Sequence, residues 1–194
     1  MNTYPRSVRA KEVKLNRAAA AALAAVLLIA GEISAQEPAF KRPPPGPERE
    51  RLSFLVGSFR TETRVLPGPM TQKEAVGTGT SVIRWGLDSM FLVIDEESTN
   101  PLLGNYKGLG LLGYDAAGKR YVLSMYNNFG DHPEYRGDFA GDTLVLAAKV
   151  PFPGGSFDQK LLWYRDGGKV LLRVLNDTGH GFVPVVEETA TRDF

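Results

Sequence analysis

Gly104-Asn-Tyr-Lys-Gly-Leu-Gly-Leu-Leu-Gly-Tyr-Asp115, a turn, Lys119-Arg-Tyr-Val-Leu-Ser-Met-Tyr126, a loop, then Tyr135-Arg-Gly-Asp-Phe-Ala-Gly-Asp-Thr-Leu-Val-Leu146: this stretch decides the fold. Apolar, aromatic and β-branched runs are broken about every ten residues by Gly, Asp and Asn, which is the rhythm of an antiparallel meander closing into a sandwich or barrel. The same rhythm continues in both directions. Strands are expected at about 57–66, 74–85, 90–97, 105–114, 120–127, 134–139, 143–150, 158–165, 170–176 and 182–192. Asp115-Ala-Ala-Gly118, Gly141-Asp142 and Asp166-Gly-Gly168 punctuate hairpins, because Gly and Asp tolerate positive φ. The only helix expected is one or two turns over Pro47–Leu55, where Pro stands first and acids fill the first turn.

Several strands are apolar on both faces, as with Leu144, Leu146 and Ala148 against Val145 and Ala147. An open sheet would leave one such face wet. A closed barrel, covered in part outside by neighbours or by a second copy in a homodimer, accommodates both. Ten strands leave an interior wide enough for a ligand.

The N-terminal segment reads differently. Arg6, Arg9, Lys11, Lys14 and Arg17 precede an apolar run over 18–30, and Ile33-Ser-Ala35 offers a small residue for cleavage. That is the layout of a secretory signal peptide over residues 1–35, and the 13-residue run is short of the roughly 20 needed to span a bilayer. A Pro-rich linker over 36–50 and a single barrel domain over 51–194 follow. The expected location is periplasmic or secreted, with no stable membrane insertion once the signal is removed. Residues 1–35 hold five basic and two acidic side chains, so the rest carries 18 basic and 20 acidic, a net charge of −2. A near-neutral domain with no basic stripe argues against a nucleic-acid partner. There is no Cys, which removes disulfides and thiolate metal sites.

Leu55-Val-Gly-Ser-Phe59, Met90-Phe-Leu-Val93 with Glu96, Tyr106-Lys-Gly-Leu-Gly-Leu-Leu-Gly-Tyr-Asp115, Tyr135-Arg-Gly-Asp-Phe139 and the closing Glu187-Glu-Thr-Ala-Thr-Arg192 together resemble the bacterial domain-of-unknown-function family numbered 1579. The resemblance covers Leu52 to Arg192, and its most specific part is the block beginning at Tyr106. It implies a calycin-like barrel, akin to lipocalins and fatty-acid-binding proteins, and no defined activity. Family members often carry Trp where Phe59 stands here.

The chemistry-bearing residues are few. Gly108, Gly110 and Gly113 spell Gly-x-Gly-x-x-Gly, but a dinucleotide site needs a helix after them, and a hairpin follows instead. Glycines of this kind admit strong coiling or a closely packed side chain. His132 and His180 are the only imidazoles, both in turns; either is an axial haem ligand or metal ligand only in an alternative reading, and no cofactor is assigned. Adjacent acids in Asp95-Glu-Glu97 and Glu187-Glu188 face opposite ways along a strand, so neither doublet converges on one atom. Glu96 shares a face with Leu92 and Ile94, and with Arg136 or Arg192 it would anchor a ligand head group or form a structural ion pair. No nucleophile elbow is present, and no catalytic residue is assigned.

The expectation is therefore an exported, non-enzymatic barrel binding an apolar or amphipathic small molecule. Trp85, Glu96, Tyr106, Tyr126, Arg136 and His180 are the candidate ligand-binding residues. The alternative is a filled barrel acting as a dimerisation or interaction module.

Overall fold

A computed structural model of the chain describes residues 46–68, 71–177 and 179–193. The signal peptide and most of the linker expected from the sequence lie outside the described residues. A single helical turn, α1 (Pro47–Glu50), runs into a 3₁₀ turn (Arg51–Leu55). Ten strands follow: β1 (Gly57–Val65), β2 (Ala75–Gly86), β3 (Phe91–Asn100), β4 (Gly104–Asp115), β5 (Arg120–Asn127), β6 (Glu134–Ala140), β7 (Thr143–Phe152), β8 (Gly155–Asp166), β9 (Lys169–Asp177) and β10 (Val183–Arg192). Each pairs antiparallel with the next, and β10 returns to β1, closing the barrel. The all-β meander and the N-terminal turn expected from the sequence are both present. Closure leaves no edge strand, so each strand is paired on both sides.

Hairpin chemistry sets the register. Gly167 and Gly168, with φ of 53° and 83°, form the two-residue link between β8 and β9. Positive φ at both positions matches the right-handed twist of the flanking strands, which is why a Gly-Gly pair stands there.

One end of the barrel is filled. Leu52 and Leu55 of the 3₁₀ turn are fully buried and pack in one cluster with Phe59, Leu92, Leu112 and Leu144. Tyr121 ties the plug to the wall: its hydroxyl donates to the Glu48 carbonyl at 2.6 Å, and burial pushes its pKa up to about 12. Tyr121→Phe removes one hydrogen bond worth about 1 kcal/mol. It should lower the melting temperature by roughly 2–4 °C, as a thermal melt followed by circular dichroism would measure; an unchanged melt would mean the contact does not hold the plug.

Candidate functional site

The other half of the barrel is hollow. A cavity of about 340 Å³ lies beyond the cluster, and Leu123, Leu161 and Trp163 belong to both its lining and the core, forming its floor. Its lining reaches Leu103, Asp131 and Pro133, in the loops at the end opposite the plug. Cavities of this size fall at the lower end of those that take small molecules.

Period-two alternation decides what enters it. Along β3, Leu92, Ile94, Glu96 and Ser98 face inward, and Asp95 and Glu97 are exposed. Along β10, Glu188 lines the cavity, and Glu187 stays outside to meet Arg64 at 3.6 Å and Arg173 at 3.0 Å. Each acidic doublet thus contributes one interior carboxyl. The strand tilt that barrel closure requires brings these two groups, from strands separated by β1 and β2, into one cavity.

The environment of the pair is apolar enough to favour protonation. Burial, then the fields of Glu188 and Asp95, push the Glu96 carboxyl up to about 8. Burial also raises Glu188, against the opposing hydrogen bond that Thr63 Oγ1 donates to its Oε2 at 2.8 Å. Ser81, which pairs with Glu96 across β2 and β3, is 3% exposed, and its Oγ has no hydrogen-bond partner. Two tyrosines complete the polar cluster. The Tyr106 hydroxyl is raised by burial first and by Glu96 second. Tyr135, pushed up to about 12 mainly by burial, donates to Gln159 Oε1, and Gln159 Nε2 donates to Asn176 Oδ1 at 2.8 Å.

Gly108 explains how Tyr106 fits. It pairs with Glu96 across β3 and β4, and a Cβ on it would lie 2.6 Å from the Tyr106 Oη. The phenol therefore lies over bare backbone beside the carboxyl. Gly110 receives Met125 and Gly113 receives Phe91 in the same way. The glycine pattern of β4 is a packing device on a strand.

The remaining sequence candidates are placed elsewhere. Trp85 faces inward at the plugged end, packed against the core cluster and apart from the cavity lining. Tyr126 is 53% exposed on the outer wall. Arg136 is exposed and bonds Glu134, because position 136 has the outward parity of β6; it does not meet Glu96. Arg192 stacks over Phe59 at 5.2 Å and reaches the Phe54 carbonyl, in the filled half. His180 is exposed in the β9–β10 loop, whose shape is set by Asp177 accepting from the backbone N–H of Gly179 at 2.7 Å and Gly181 at 2.9 Å. His132 is exposed in the β5–β6 loop, its ring 6.5 Å from that of Tyr126. Neither imidazole lines the cavity. Thr63, Ser81 and Gln159 were not singled out by sequence reasoning, and Glu188 and Tyr135 were noted there without being chosen as candidates. The available signal was parity: Glu188 lies two residues from both Val186 and Ala190.

Fold and site together define a class: an antiparallel ten-strand barrel of calycin-like form, plugged by an N-terminal turn and hollow at the other end, with two carboxyls inside. The chain belongs to the family described as "Protein of unknown function (DUF1579)", whose model matches residues 44–170. Glu96 falls within the matched stretch and Glu188 beyond it. Among solved structures, the chain is similar to the crystal structure of Rv2717c from M. tuberculosis, with 15% identity and a TM-score of 0.56 over 77% of this chain and 99% of that one. At that identity the likeness is one of fold. No curated protein matches the chain.

Proposed function

We propose that the protein is an exported binding barrel that takes an amphipathic small molecule into the cavity. Its apolar body lies against Leu161, Leu172, Val174 and Trp163, and its polar end lies toward Glu96 and Glu188. The observation that carries this reading is the cavity itself, about 340 Å³ with an aliphatic and aromatic wall and a compact polar cluster. Export rests on the basic, apolar and small-residue sequence of positions 6–35. Among the described residues the interior groups form no nucleophile–base arrangement, and the reading is one of binding.

Trp163 on the cavity floor reports occupancy once Trp85, the other tryptophan, is replaced by Phe. Titration with octylamine, octan-1-ol and octanoate should give a saturable Trp163 fluorescence change for at least one of them. Filling the cavity with Leu172→Phe and Val174→Phe should abolish it. If no probe gives a saturable change, the binding reading falls.

A second reading has its own observation. Leu109 and Tyr126 are register partners on the outer wall of β4 and β5, 48% and 53% exposed, with Val82 on the same row beyond Asp95. Such a patch suits a homodimer, which a concentration-dependent mass in sedimentation would reveal.

A further inference from the structure

We infer that the molecule held in this cavity carries a protonated aliphatic amine, placed between Glu96 and Glu188, on an apolar body. The inference rests on the ligand-binding reading above and adds to it the charge and chemical class of the ligand.

The first reason is the sign of the groups. Two carboxyls lie deep in the cavity, and among the described residues no Lys, Arg or His lines it. Arg60 and Lys107, on the outer wall nearby in β1 and β4, are taken up by Asp193 at 2.9 Å and Glu97 at 2.6 Å. A carboxylate or phosphate head group is held most strongly by a cationic partner. Here it would meet two acids.

Hydrogen-bond supply gives the second reason. Glu188 accepts from Thr63, and the Glu96 carboxyl has no hydrogen-bond or ion-pair partner among the described residues. Ser81 Oγ, buried and facing Glu96 across the ladder, is also without a partner. An ammonium group has three donors and no acceptor. Glu96, Glu188 and Ser81 together offer one acceptor for each. Buried carboxylates are normally paired, and a bound cation supplies the missing partner.

The third reason is the wall. Tyr106 and Tyr135 both line the cavity, Tyr106 close enough to Glu96 and Glu188 to feel their charge, and aromatic rings attract cations. A volume of about 340 Å³ lies at the lower end of small-molecule cavities and admits a medium-length alkylamine.

Calorimetric titration of the protein purified from the full-length chain, in a chelating buffer at neutral pH, compares octylamine, octan-1-ol and octanoate. Octylammonium should bind at least about tenfold tighter than octan-1-ol, with octanoate weakest. Glu96→Gln and Glu188→Gln should each weaken octylammonium by about tenfold or more. A measurement on the unmodified protein guards against a variant that folds poorly. The carboxyls must shed protons to accept a cation, so octylammonium affinity should rise between pH 6 and pH 8, and that of octan-1-ol should not. If octan-1-ol or octanoate binds as tightly as the amine, the amine assignment is overturned while the cavity reading stands. If no probe binds, the cavity reading itself falls.

Discussion

Gly137→Ala should be the most damaging single-methyl substitution in the barrel. Gly137 lies on the inward face of β6, between Tyr121 on β5 and Leu146 on β7. A Cβ there would stand 1.9 Å from the Val145 carbonyl oxygen and 3.0 Å from the Leu146 Cα. Both obstacles are backbone, so no rotamer change relieves the clash. β6 must move away from β7, and β6 has little pairing to spare, with four register pairs to β5 and five to β7. A cost of about 3 kcal/mol is expected, which for a domain of this size lowers the melting temperature by roughly 6–12 °C. Gly167→Asn is the control. Gly167 has a positive φ of 53° and nothing within 4 Å of its missing side chain, and Asn tolerates that conformation. Its melt should stay close to that of the parent. Equal melts for the two variants would mean that β6 and β7 are not so closely apposed.

The second large effect is a loss of stability with rising pH. Glu96 has a folded-state pKa of about 8 against an ordinary value of 4.5, and Glu188 is raised as well. The folded state therefore keeps protons that the unfolded chain releases, and stability falls as pH rises. The contribution is fully present below about pH 4.5 and is lost as pH climbs through about 8. Asp177 and Glu74, whose pKa values are lowered, are already ionised throughout this range and do not contribute to its slope. Tyr121 and Tyr135, raised to about 12, titrate above it. Between pH 6 and pH 9 the ligand-free protein should lose stability on the order of 2 kcal/mol. Its melting temperature should fall by roughly 5 °C or more. Glu96→Gln should flatten the profile and melt above the parent at pH 9. A parent whose melting temperature does not change from pH 6 to pH 9 would show that the two carboxyls are not buried together.

The two effects arise at different depths of the same tube. Near the plugged end, tight backbone approach gives a filled core and a fixed shape. Toward the other end, small inward residues such as Ser81 and Thr61 leave the space that the carboxyls face. The polar pair costs stability at alkaline pH, and a bound cation would recover it. A ligand of that class should therefore raise the melting temperature most at high pH.

Strand existence, order and hairpin positions were written in the chain, because alternation with period two and Gly-Asp punctuation are local signals. The glycine run of β4 was legible as a strand because Tyr114 and Asp115 lead into a hairpin with no helix after it. Parity along one strand also placed Glu96 inside, since Leu92 and Ile94 share its face. Parity was weaker for Arg136: its neighbours on β6 alternate Gly, Asp and Tyr, so no apolar face marks the inside. Aromatic identity did not distinguish Tyr106, in the cavity wall, from Tyr126, on the outer wall. Only closure and strand tilt decided that Glu96 meets Glu188 across two intervening strands. Such a meeting depends on shear, a property of the whole barrel that no local stretch encodes. The apolar Leu52 and Leu55 of the N-terminal turn already pointed to a plug at one end, whereas the emptiness of the far half was decided in the same way as that meeting, because side-chain volume becomes a cavity only when all ten walls are in place.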